Sequence, residues 1–134
     1  MATTVIDNCF DELEFWDTGY LCQPTITVDK IVIPVNDIRV YEEHPLNNTG
    51  KPMILHNGKL VFGKVSKSER IVYEYVVDTE GKATKHKQEK KFVDGPFAAV
   101  KDSVKTFVVE GVMKSPYVLI NWQIECASFC LKVE

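Results

Sequence analysis

No cysteine pair in this chain has the close Cys-x2-Cys spacing that zinc sites use; Cys9, Cys22, Cys126 and Cys130 are the whole complement. There is no glycine-rich phosphate loop and no Gly-x-Ser-x-Gly elbow, so two common routes to nucleotide binding and acyl transfer are missing. No apolar run approaches the roughly 20 residues a membrane helix needs. The leading "MATTVIDNCFDELEF" carries acids where a secretory leader would carry bases and then an apolar core. The expectation is a cytoplasmic protein with reduced thiols, no metal and no cofactor. Histidine is scarce as well. His44 lies in a loop beside Glu43, His56 adjoins Asn57-Gly58, and His86 stands among lysines. No motif sets a serine or cysteine against any of them, and the chain is read as a non-enzyme.

What is present is β-branched, aromatic and alternating. The 134 residues suit one domain spanning 1–134. "ELEFW" (12–16) alternates. "TITVDKIVIPVNDIRVY" is rich in Ile and Val, with Pro34 either splitting it into two short strands or marking an edge. Two prolines, two asparagines and a glycine make 42–52 a loop. Asn57-Gly58 between apolar runs predicts a hairpin with arms near 53–56 and 59–65, because this dipeptide accepts the positive φ angles of a type I′ turn. Residues 70–78 form a further strand, and 83–93, polar on both faces, an edge strand or an arm. Phe97, Val100, Val104 and Phe107 fall near helical spacing, with Pro96 in a first turn and Asp94 as a cap. That segment is either a helix or a loop entering a strand.

Two further patterns concern the sheet. Residues 59–77 align without gaps to 106–124, each copy reading as strand, Lys-Ser turn, strand, which favours antiparallel pairing. In the closing "VLINWQIECASFCLKVE", apolar residues occupy even positions up to Cys126 and odd positions from Ala127. A strand that changes face needs an extra residue, a β-bulge, around Cys126–Ser128, or half its apolar residues would meet water. Such a bend carries a strand from one sheet to another. The expected fold is therefore all-β and mostly antiparallel, a β-sandwich or partly open barrel, with at most one short helix near 96–105.

Charge is unevenly spread. Residues 1–50 hold nine acids against two bases; residues 51–134 hold ten acids against fourteen bases. "KATKHKQEKK" (82–91) has five lysines but no aromatic on which bases could stack, so nucleic acid is not the expected partner. The acidic leading part points instead to a basic protein partner. Asp11, Glu12, Glu14 and Asp17, with Glu42 and Glu43, are the candidate contact residues. Trp16 lies among these acids and is either a core residue or an exposed anchor. Trp122, between Ile120 and Ile124, belongs to the core. The acidic "DELEFWD" and the tryptophan-bearing "LINWQIECASFCLKV" together resemble the small immunity proteins of bacterial polymorphic-toxin and contact-dependent inhibition systems. That resemblance implies a single acidic domain that neutralises a toxin by binding and covering it. The alternative is a small-ligand binder using the interior or mouth of the β-barrel or sandwich.

Overall fold

In the computed structural model, residues 4–7, 10–15, 19–77, 83–95, 97, 105–113 and 118–133 are described, with the backbone alone at 4, 74–77 and 83–89. They contain nine strands: β1 (Thr4–Asp7), β2 (Leu13–Glu14), β3 (Tyr20–Leu21), β4 (Thr25–Ile26), β5 (Lys30–Val40), β6 (Met53–Val77), β7 (Ala83–Asp94), β8 (Lys105–Met113) and β9 (Val118–Val133). A single 3-10 turn, Phe10–Glu12, precedes β2. The chain is all-β and mostly antiparallel, as its alternation predicts. Among the described residues no helix is long and apolar enough to cross a membrane.

The two longest strands organise the rest. One edge of β9 pairs with β8 and then β1, and its other edge pairs with β6 from Lys59 to Glu74. The far edge of β6 takes β5 first and β7 second. Along its own outer edge β5 carries β2, β3 and β4. Leu21 of β3 then makes a parallel bridge to Met113 of β8, which closes the circuit β3–β5–β6–β9–β8 into a small barrel. β7 lies at the end of the strand order and pairs, among the described strands, with β6 alone, so 83–94 is the expected edge strand.

Inward rows of side chains fill this barrel, as in other barrels of small circumference. Ile33, Leu60 and Leu131 face one another across β5, β6 and β9; Ile31, Phe62 and Phe129 form the next row. Phe10 of the 3-10 turn joins the second row, its ring 5.2 Å from Phe129 and 5.1 Å from Phe107. Pro34 does not break β5. It sits between the β3 and β4 pairings, where its carbonyl accepts the Cys22 N–H at 2.8 Å.

Two expected turns are strand interiors. Asn57 and Gly58 pair with Asn36 and Val35 within β6, and neither has a positive φ. The hairpin is absent because the segment is already held by β5, and from Lys59 onward by β9 as well. Tertiary pairing outweighs a local turn preference. Lys67-Ser68 is likewise no turn. An extra residue on β6 between Val65 and Lys67 forms a bulge facing Cys126 and Glu125, and nearby Lys64 has φ 53°. The matching turn at 114–115, and residues 79–82 between the strands expected at 70–78 and 83–93, lie outside the described residues. On β9 burial changes phase after Cys126: Ile124 and Cys126 are buried, then Phe129 and Leu131. The extra residue expected there lies instead on the neighbouring strand, at the β6 bulge, while β9 steps regularly from Ser128 to Cys126 against Gly63 and Val65. Residues 98–104 of the helix candidate lie outside the described residues. Lys105 already belongs to β8, and Asp94, the expected cap, ends β7 with its carboxylate taken by Ser68 and Arg70.

Candidate functional site

The acidic residues come together through one short pairing. Leu13 and Phe15 are buried, so alternation turns Glu14 outward. Leu13 lies opposite Val40 and Glu14 opposite Arg39, and the Tyr41 N–H donates to the Glu12 carbonyl at 2.9 Å. This brings Asp11 and Glu12 beside the turn that follows β5. That turn is tightly built. The His44 N–H donates to the Tyr41 carbonyl, and the Asn47 N–H to the His44 carbonyl. Asn47 is buried, and its amide bridges the carbonyls of Val40 and Lys51 at 3.0 and 2.8 Å. Glu42 and Glu43 stand exposed at its tip.

The carboxylates are not equivalent. Glu14 accepts from Arg39 at 3.1 Å and from the Tyr41 hydroxyl at 2.5 Å, and the Glu14 bond is the main reason the Tyr41 phenol is raised above its ordinary value. Glu14 therefore acts as an internal tie. Asp11, Glu12, Glu42 and Glu43 form no ion pair among the described residues. Trp16 and Asp17 lie outside the described residues. Beside Asp11 and Glu12 opens a groove of about 520 Å³, lined also by Phe10, Phe107, Lys105 and Thr106. Neither phenylalanine was a sequence candidate. Nothing local marks them, since the groove exists only where β8 passes the 3-10 turn.

No protein-family model, curated protein or solved structure matches this chain.

The remaining chemistry is sparse. His56 Nδ1 lies 2.8 Å from Asp37 Oδ1, both side chains largely exposed. Among the described residues neither His44 nor His56 hydrogen-bonds a hydroxyl or thiol, and His86 is described by its backbone only. No cluster of three metal-ligating side chains occurs among the described residues. Cys126 is buried beside the bulge, and desolvation pushes its thiol up to about 11, which makes it a poor nucleophile.

His44 is the buried titratable group under the acidic turn, 1% exposed. Its Nδ1 accepts the Leu46 N–H at 3.1 Å, so in the neutral ring the proton sits on Nε2. Burial lowers its pKa below the ordinary 6.5, with the Glu12 carboxylate pulling partly back. The unfolded chain therefore takes up a proton near pH 6.5 that the folded chain refuses. His44 supports stability fully above that pH, and the support is lost as pH falls from there toward the lower folded-state value. Urea midpoints measured from pH 7.5 down to pH 5 should fall, and His44→Asn, whose amide oxygen can still accept from Leu46, should flatten that part of the slope.

Proposed function

We propose that this protein is a non-enzymatic binder that neutralises a basic protein partner by covering it with the face formed by Asp11, Glu12, Glu42 and Glu43. One observation carries the reading. Two segments some thirty residues apart in sequence are brought together by β2–β5 pairing, and four carboxylates there have no ion-pair partner among the described residues. A protein using these acids only for its own stability would pair them, as it pairs Glu14. The adjoining groove adds what charge alone lacks. Phe10 and Phe107 offer apolar surface to the stem of a lysine or arginine, while Asp11 and Glu12 meet its head. In its specific form the partner is a toxin domain, as the resemblance to immunity proteins implies. The packed barrel interior supports this reading over a ligand held inside the barrel.

The test is kinetic. Partner recovered by affinity capture is bound to wild type and to the Asp11→Lys, Glu12→Lys, Glu42→Lys, Glu43→Lys variant at low salt. Because steering charges act on encounter, association should slow by roughly tenfold or more in the variant, and added salt should bring wild type toward it. Equal association rates at low salt would refute the acidic-face reading.

A further inference from the structure

The turn that carries Glu42 and Glu43 is closed on a ring that has no place for a second proton. His44 is 1% exposed, and its Nδ1 accepts the Leu46 N–H at 3.1 Å. A protonated ring would set an N–H against that N–H, since an imidazolium only donates. The other edge offers nothing better, because Nε2 is buried with no hydrogen-bond partner among the described residues. Turning the ring over does not help. Both nitrogens of the cation carry hydrogens, and neither can accept from Leu46.

The seat of the ring belongs to the turn and not to the sheet. The His44 N–H donates to the Tyr41 carbonyl, the His44 carbonyl accepts the Asn47 N–H, and the ring accepts from Leu46. All of these bonds begin and end within residues 41–47. The β5–β6 ladder stops at Val40 and Met53, and the Asn47 amide ties Val40 to Lys51 across the base of the loop. Residues 42–46 can therefore rearrange while the ladder and its clamp stay closed. Among the charges around the turn, the Glu12 carboxylate on the 3-10 turn favours the cation, but burial of the ring outweighs it. Glu42 and Glu43 precede the ring at the exposed tip, Asp11 and Lys51 are exposed, and Arg39 is committed to Glu14.

We propose that residues 41–47 form a pH-operated latch, in which neutral His44 holds Glu42 and Glu43 on the face shared with Glu12 and protonation expels the ring and withdraws both carboxylates. An open turn takes up a proton near the ordinary histidine value of 6.5, whereas the closed turn does so only at lower pH. Opening therefore becomes more favourable by up to about tenfold for each pH unit below that value, until the closed form is protonated too. Release of a basic partner by this latch rests on the acidic-face reading, but the latch itself does not.

Amide hydrogen exchange of the intact chain, followed by nuclear magnetic resonance between pH 7.5 and pH 5.5, tests the latch without any partner. Protection of the Leu46 and Asn47 amides, corrected for the intrinsic rate, is expected to fall by up to about tenfold over that range and to be insensitive to low urea, because a local opening exposes little surface. His44→Asn, which can still accept from Leu46 but takes up no proton, should lose this pH dependence. Binding of a hexalysine peptide at constant ionic strength gives the functional arm. Wild type should bind it up to about tenfold more weakly at pH 5.5 than at pH 7.5, and His44→Asn should lose much less, with His56 and His86 titrating alike in both. The latch is overturned if Leu46 and Asn47 lose protection only together with Leu60 and with its urea dependence, for the ring would then leave by global unfolding. It is also overturned if His44→Asn keeps the wild-type pH dependence. A peptide that binds neither protein at pH 7.5 counts against the acidic face, and the exchange result alone then decides the latch.

Discussion

Trp122→Ala is expected to lower the unfolding free energy by about 3–5 kcal/mol, the range for truncating a buried aromatic. The ring is 1% exposed and packs between rows from β6 and β8, opposite Arg70 and Val109. It is also the end of a polar chain. Trp122 Nε1 donates to Ser68 Oγ at 2.7 Å, the Ser68 hydroxyl donates to Asp94 Oδ2 at 2.7 Å, and Asp94 Oδ1 accepts from Arg70 at 2.6 Å. The Arg70 guanidinium lies 4.6 Å from the centre of the Trp122 ring, so the network returns to its starting point. Truncation removes the ring, the donor to Ser68 and the surface under Arg70 together. Trp122→Phe keeps most of the apolar contact but loses the N–H, and is expected to cost nearer 1 kcal/mol. Urea denaturation followed by far-ultraviolet circular dichroism separates the two. Equal losses for both variants would show that the hydrogen bond, not the buried area, carries this position.

Gly19→Ala should destabilise the chain by about 3 kcal/mol or more and open the barrel at its weakest seam. Gly19 has φ 79°, and a Cβ built there would lie 2.3 Å from the Asn36 carbonyl oxygen and 2.5 Å from that of Asp37. Both obstacles are backbone, so no rotamer change relieves them, and β3 has to move off β5. β3 supplies the parallel bridge between Leu21 and Met113 that joins β5 to β8. Gly50, with φ 77°, has nothing within 4 Å of such a Cβ. Gly50→Ala therefore measures the cost of backbone conformation alone, about 1–2 kcal/mol. Amide exchange at Leu21 and Met113 should quicken in the Gly19 variant and stay slow in the Gly50 variant. Slow exchange at both sites in Gly19→Ala would mean that β3 tolerates the clash in place.

Several features were legible because their signal is local. Alternation of buried and exposed residues gave the strand class, and the even-to-odd change after Cys126 located the place where β9 turns its other face inward. Loop composition at 42–52 gave the loop, and the polar run at 83–93 gave the edge strand. Trp122 read as core from its neighbours alone. The acidic face was legible as composition, since nine of the first fifty residues are acids.

Other features depend on contacts that no short window contains. Asn57-Gly58 is among the strongest hairpin signals a sequence can carry, yet it lies inside a 25-residue strand, because β5 pairs with both residues and β9 takes up the other edge of β6 from Lys59 onward. Local preference is worth a few tenths of a kcal/mol to about 1 kcal/mol per residue, and continuous pairing with β5 from Met53 to Gly63 exceeds that sum. The same reason explains why Lys67-Ser68 became a bulge. Which carboxylates are available was also beyond the sequence. Glu12 and Glu14 look alike in "ELEFW", and only the register against Arg39 and Tyr41 turns Glu14 into a tie and leaves Glu12 without an ion pair among the described residues. Composition thus determined the strand content and the sign of the leading segment. Pairing across distant strands decided which residues meet, because Phe10 and Phe107 come into contact only where the 3-10 turn is carried against β8.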